Sequence, residues 1–185
     1  MVINRGKVNK RKRGVIMQPK NSNNGKRLVF SEESYDKINR TLQELAKRLP
    51  AQLCVFADKN GYVISYFGLD SEIDLTSLTA LSAGAFSATV EIASQIGESD
   101  QFKFINHEGQ KNNLYLSSIS DHYMMIIVCD KSVAAGMVRV LTHHAIQRIE
   151  SLIAELKLEN KKAMQYIDVE FGSLLTSELN RTFGL

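Results

Sequence analysis

Residues 53–68 read LCVFADKNGYVISYFG, and this stretch decides the fold. Leu53 to Ala57 is a run of five apolar residues, the pattern of a strand buried on both faces. Asp58-Lys59-Asn60-Gly61 follows. Asn-Gly between two β-rich runs marks a hairpin, because the tight turns that match strand twist need positive φ. Tyr62 to Phe67 supplies the return strand, rich in aromatic and β-branched residues. None of these residues offers catalytic chemistry. The hairpin defines a scaffold, and function belongs on the scaffold's surface.

Upstream of the hairpin, Ser31-Glu32-Glu33 starts a helix, with Ser31 or Ser34 as cap and acids in the first turn. Tyr35, Ile38, Leu42, Leu45 and Leu49 recur at helical spacing, and Pro50 ends the helix. Downstream, Gly68 to Ser71 is a loop, and a second helix is expected from Asp74, its N-cap, to Ile96. At about 100° per residue, Leu75, Leu78, Leu81, Ala85, Phe86, Thr89, Ile92, Ala93 and Ile96 share one face, which is expected to pack on the sheet. The opposite face holds Ala80, Gly84 and Ser87, flanked by Thr76, Ala83 and Ala88, with Glu91 beyond. No charge occurs from Leu75 to Val90. A glycine in mid-helix costs up to about 1 kcal/mol relative to alanine. A helix that is small and uncharged on its outer side is expected to be covered, by a second copy, by a partner or by this chain's own termini.

Gly97 stops that helix. Phe102 to His107 alternates like a half-buried strand, Glu108 to Asn112 turns, and Asn113–Ile119 and Tyr123–Cys129 read as two further strands. The last of these is continuously apolar and therefore central. Asp130-Lys131-Ser132 caps a third long helix whose apolar face is Val133, Met137, Val140, Leu141, Ala145, Ile149, Leu152, Ile153 and Leu156. From Lys157 the pattern frays, and Tyr166, Val169, Phe171, Leu174, Leu175, Leu179 and Phe183 form a second apolar set. That tail either packs back on the domain or binds a partner.

The chain has 185 residues, 44% of them hydrophobic, enough for one domain with extensions. The expected divisions are a disordered basic arm over 1–30, a domain over 31–158 and an amphipathic C-terminal extension over 159–185. Residues 1–28 carry nine of the 23 basic residues and no acid, which leaves 14 bases against 20 acids elsewhere, a net charge of −6. The run Lys10 to Arg13 is suited to weak contact with nucleic acid or an anionic surface, or to solubility alone. With no aromatic interleaved, single-strand stacking is not indicated. Cys54 and Cys129 sit in apolar runs and read as buried, reduced thiols. No signal-peptide core and no apolar run near the roughly 20 residues of a membrane span is evident, so a cytoplasmic location is expected.

The sequence offers little chemistry. It has no GxxxxGK[ST], no GxGxxG opening a helix, no HExxH and no CxxC. His143 and His144 are adjacent, so on a helix they point about 100° apart and cannot share one metal. His107 and His122 read as surface residues near strand ends. Asp58 and Asp130 close two strands, and turn or cap roles explain them more cheaply than acid–base catalysis. No nucleophile has an evident base. No metal, cofactor or catalytic residue is expected, and the protein reads as a binding protein, not an enzyme.

The order α-β-β-α-β-β-β-α, together with LPAQLCVFADKNGYVIS (49–65), LTSLTALSAGAFSATVEIA (75–93) and MMIIVCDKSVAAGMVRVLTHHAIQRIESL (124–152), resembles the Roadblock/dynein light-chain family. The resemblance covers about Leu45 to Leu156. One departure is Gln52-Leu53-Cys54, where many members have a Gly. The resemblance implies an α+β fold, a five-stranded antiparallel sheet with helix 2 on one face and helices 1 and 3 on the other. It also implies a homodimer, or a heterodimer with a related chain, paired through helix 2 and the third strand. Leu78, Leu81, Ala85, Phe102 and Phe104 would lie at that interface. Bacterial MglB-like members of the family bind a small Ras-like GTPase and regulate its hydrolysis by repositioning the GTPase's own residues. By that resemblance Ala80, Gly84, Ser87, Thr76, Ala83, Ala88 and Glu91 would face the partner, and Tyr166, Phe171, Leu174 and Leu175 in the C-terminal tail would add a second contact. The alternatives are a polarity or cytoskeletal adaptor that acts through its tails and leaves GTP turnover unchanged, and a nucleic-acid or membrane-surface binder that works through the basic arm.

Overall fold

The structure, a computed structural model, describes residues 13–14, 28, 30–68, 73–99 and 101–183, with few side chains beyond residue 160. Helix α1 spans Glu32–Arg48. The hairpin strands are β2 (Leu53–Asp58) and β3 (Val63–Gly68). Helix α2 spans Leu75–Gln95. Strands β4 (Phe104–Glu108), β5 (Asn112–Ile119) and β6 (Tyr123–Asp130) follow, and α3 runs from Ala135 to Phe183. Every pairing is antiparallel. The five strands lie in the order β3-β2-β6-β5-β4, with a two-residue strand β1 (Arg13–Gly14) added at the outer edge of β3. The expected α-β-β-α-β-β-β-α order and the five-stranded sheet are therefore present.

Strand β1 departs from the expected reading of the arm. Arg13 and Gly14 pair with Phe67 and Tyr66. An edge strand presents a row of open backbone donors and acceptors, and even a short basic segment can satisfy some of them. The other three residues of the basic run, Lys10 to Lys12, lie outside the described residues.

The core follows from alternation on doubly covered strands. Along β2, Cys54 and Phe56 enter the cluster beneath α1 and α3, while Leu53, Val55 and Ala57 enter the cluster beneath α2. Strand β6 divides likewise, with Tyr123, Met125, Ile127 and Cys129 on the first face and Met124, Ile126 and Val128 on the second. Both strands are interior, which is why they are apolar on both sides. Helix α1 is capped as expected, by the Ser31 hydroxyl accepting from the Ser34 amide, and it buries Ile38, Leu42 and Leu45. Cys54 and Cys129 are buried thiols outside any disulfide, as the sequence indicated.

The hairpin turn has a specific geometry. The Gly61 amide donates to the Asp58 carbonyl at 3.1 Å and the Asp58 amide to the Tyr62 carbonyl at 2.9 Å. Gly61 has φ +90°, so the loop Lys59-Asn60-Gly61 is a three-residue turn closed by a left-handed glycine. Asp58 Oδ1 accepts from the amides of Asn60 and Tyr62. Gly61 serves a second end. A Cβ placed on it would lie 2.9 Å from Ala80 Cα, so the turn and the backbone of α2 touch only because the side chain is missing.

Two helix faces differ from expectation. On α2 the buried residues are Leu75, Thr79, Ser82, Ala83, Phe86 and Ala93, while Leu81, Ile92 and Ile96 stand in the open. The buried face is thus turned by roughly 60° from the apolar one at 100° per residue. Small polar residues permit this, because the Thr79 hydroxyl returns its hydrogen bond to the Leu75 carbonyl at 2.6 Å. On α3, Val138, Thr142, Ala145, Ile149, Ile153 and Leu156 are buried, and Met137 and Val140 are exposed. Helix α3 also passes without a break through the polar stretch after Lys157, where fraying was expected. By length and composition α2, with a mean hydropathy of 1.2, is apolar enough to cross a membrane, contrary to the sequence reading. Here it is packed on the sheet, and its hydropathy reflects missing charges more than large side chains.

Candidate partner-binding face

Helix α2 begins at a strong cap. Asp74 Oδ1 accepts from the amides of Thr76 and Ser77, and the Ser77 hydroxyl donates to Oδ2. The Ser77 hydroxyl and amide hold the Asp74 carboxyl below its ordinary value. The helix then lies across β2, β3, β5 and β6 through Leu75, Phe86 and Ala83, with Leu78 and Ala85 half-buried at the edge. Lys59 reaches from the hairpin to within 5.2 Å of the Phe86 ring centre.

The outward side of α2 is the candidate site. Thr76, Ala80, Gly84, Ser87, Ala88 and Glu91 are exposed along it. A Cβ on Gly84 would meet nothing within 4 Å, so the notch is open to a large side chain. Ala83 was expected on this side and is instead buried, at 7% exposure, because it follows Ser82 onto the sheet-facing side. Along one flank of this surface stand Leu81 at 73%, Ile92 at 51% and Ile96 at 65% exposure. Those three were expected against the sheet. Large apolar side chains in a row beside small ones make a contiguous greasy strip.

The residues expected at a pairing interface are divided. Leu78, Leu81 and Ala85 share the apolar flank of α2. Phe104 is on the other face of the sheet, its ring 5.6 Å from Tyr115 and under the Arg139 guanidinium at 5.9 Å. Register explains this, since Ile105 takes the α2 side and its neighbour Phe104 must point away. Phe102 is half-buried just before β4, whose outer edge carries no partner strand in the sheet order. Of the C-terminal set, Leu174 is 58% exposed; the side chains of Tyr166, Phe171 and Leu175 lie outside the described residues.

The other candidate chemistry resolves into structural roles. Asp58 and Asp130 lie at opposite ends of β6, since Asp58 pairs with Tyr123 while Asp130 is the strand's last residue. At about 3.3 Å per residue they are over 20 Å apart, too far for a carboxylate pair. Asp130 Oδ1 accepts from the Ser132 amide at 2.8 Å, and bonds from Ser132 keep its pKa low. Burial, and then the Asp130 charge, push the Cys129 thiol up, so it stays protonated and inert. His143 and His144 have ring centres 6.3 Å apart. Among the described residues no three His, Cys, Asp or Glu side chains cluster as metal ligands. Sequence reading passed over a groove between α3 and β4–β5, lined by Ser117, Thr142 and Arg139. Its one visible signal was Thr142, a polar residue inside the 138-142-145-149 apolar series.

Comparison with known proteins places this geometry. The sequence model of the Roadblock/LC7 domain family matches residues 37–129. The solved structure of Myxococcus xanthus MglB is 31% identical, with a TM-score of 0.63, and the match covers 65% of this chain and 98% of that one. The gliding protein MglB of Thermus thermophilus shares the fold at 24% identity and a TM-score of 0.64, covering 69% of this chain and 96% of that one. A further MglB structure, described as having a tetrameric arrangement, is 23% identical with a TM-score of 0.65 and covers 70% of this chain and 96% of its own.

Proposed function

The chain belongs to the Roadblock/LC7 family, and from that premise we propose that it is a paired scaffold that binds and regulates a small Ras-like GTPase. One observation carries the reading. The outward side of α2 joins an open notch at Gly84 to an exposed apolar strip of Leu81, Ile92 and Ile96. Exposed strips of this kind mark interaction surfaces. The apolar flank supports pairing with a second copy or a related chain. The small, uncharged residues Ala80, Gly84 and Ser87 leave backbone within reach of a partner's switch loops. With no catalytic group on this face, regulation consists of positioning the GTPase's own residues. Helix α3 continues to Phe183, about 40 Å beyond Leu156 at 1.5 Å per residue, long enough to carry Tyr166 to Leu175 to a second contact.

The test is Gly84→Arg. Because nothing lies within 4 Å of the added Cβ, the variant folds with the parent's helix content by circular dichroism. It loses self-association by sedimentation, or it loses nucleotide-dependent binding to a Ras-like GTPase encoded nearby, together with any change in that partner's GTP turnover. A variant that assembles and binds as the parent does defeats the assignment of this face. Normal binding with unaltered turnover supports the adaptor reading in place of regulation.

A further inference from the structure

A groove of about 800 Å³ opens between α3 and the β4–β5 hairpin, on the face opposite α2. That volume falls within the range of small-molecule sites. Two side chains at its floor are unusual. Ser117 and Thr142 are 1% and 0% exposed, and neither hydroxyl has a hydrogen-bond partner. Most buried hydroxyls find one, and leaving one unmade costs free energy. Thr142 could have bonded back into its own helix, as Thr79 does. Ser117 arises from β5, directly across from Phe104 on β4. At the mouth the half-buried Ser120 hydroxyl also lacks a partner, whereas other polar groups of the wall are bonded. The Ser118 hydroxyl donates to the Ser120 carbonyl at 3.0 Å, and the Ser120 amide donates to Glu150 at 3.3 Å.

The walls state what kind of guest fits. Phe104, Val140 and Ile146 supply apolar surface. Arg139 is exposed and lines the groove with its guanidinium 5.9 Å from the Phe104 ring centre, and Lys103 stands on the rim. Asp121 and Glu150 sit on the lining as well, so a doubly charged phosphate would meet repulsion. A single negative charge attached to an apolar body suits two hydroxyl donors, one planar cation and an aromatic wall.

We propose that the groove binds a small amphipathic monocarboxylate, its carboxylate reaching the Ser117 and Thr142 hydroxyls beside Arg139 and its apolar end lying on Phe104 and Ile146. The site is separate from the α2 face and does not depend on GTPase binding.

The probe is 3-phenylpropionate, titrated into the ¹⁵N-labelled full chain while amide resonances are followed. The expected result is saturable shifts centred on Phe104, Ser117 and Thr142. The neutral 3-phenylpropionamide and the Arg139→Gln variant each bind about tenfold more weakly, the loss of one charge-assisted bond. Thr142→Val, which replaces an unpartnered hydroxyl by a methyl, weakens binding similarly while its melting temperature stays level or rises. Non-saturating or scattered shifts mean that the groove holds only water, and they overturn the proposal. Equal binding of carboxylate and amide overturns it too, as does undiminished binding by Thr142→Val. If Thr142→Val fails to fold, Ser117→Ala and Arg139→Gln carry the same comparison.

Discussion

The two faces of the sheet are closed in different ways. One is roofed by α1 and α3 together, over large fully buried side chains such as Phe56, Tyr115 and Met125. The aromatic rings of Phe30, Phe56 and Tyr123 interlock there, with Phe30 and Phe56 centred 6.1 Å apart and Phe56 and Tyr123 5.3 Å apart. The other is roofed by α2 alone, a helix that lies down on small residues and leaves Leu81, Ile92 and Ile96 outside. The first face is complete within one chain. The second presents a roof whose flank carries exposed apolar side chains, the surface proposed above to receive a partner.

This asymmetry can be tested by substitution. On the double-roofed face, Phe56→Ala opens a cavity in a sealed core and should lower stability by about 3–5 kcal/mol. Ile92→Ser on α2 removes an exposed apolar side chain and should change stability by no more than about 0.5 kcal/mol, while weakening self-association. Thermal melts and sedimentation of the pair decide the matter. Comparable losses of melting temperature would erase the distinction between the faces. Gly61→Ala tests the joint between hairpin and α2. It must hold an alanine at positive φ and push it 2.9 Å from Ala80 Cα, for a loss of about 1–3 kcal/mol of unfolding free energy, read by denaturant titration. A neutral outcome would mean that α2 rides free of the turn.

The smallest effect concerns the α2 cap. Hydrogen bonds from Ser77 depress the folded pKa of Asp74, so the charged cap stabilises the fold above the unfolded value near 3.8 and ceases to do so as pH falls through the lower folded value. Asp74→Asn still caps the helix but cannot titrate. The melting temperatures of parent and variant should therefore converge or cross below about pH 4. Curves that stay parallel from pH 7 to strong acid would remove Asp74 from any account of acid sensitivity.

The element sequence, and which two strands lie inside the sheet, were legible because they rest on strong local signals. Leu53–Ala57 and Tyr123–Cys129 are apolar without alternation, and only interior strands need that. Asn60-Gly61 marked the turn, and Ser31 and Asp74 marked helix starts. The helix faces were less legible. Thr79, Ser82 and Thr142 are polar by composition yet buried, while Leu81 and Val140 are apolar yet exposed. Periodicity weighs hydrophobicity, but small size governs how closely a helix can approach a sheet. The Ala80, Gly84 and Ser87 stripe survived this error because it lies far from both versions of the buried face. Ala83 did not. The α3 groove was hidden for a different reason: β5 and α3 supply it from positions 25 residues apart, Ser117 and Thr142, and only folding brings them together.

The placement of β6 also matters for synthesis. This strand lies between β2 and β5, yet its first residue is Tyr123, 65 positions after Asp58 ends β2. A ribosome adding about 5–20 residues per second emits the end of β2 roughly 3–13 s, and the end of α2 roughly 1–6 s, before the strand that joins the two halves of the sheet. During that interval α2 has no finished sheet to lie on, and both of its sides are bare. The chain is then most in need of a chaperone or of a partner already made, and assembly on a previously folded copy would shorten that wait.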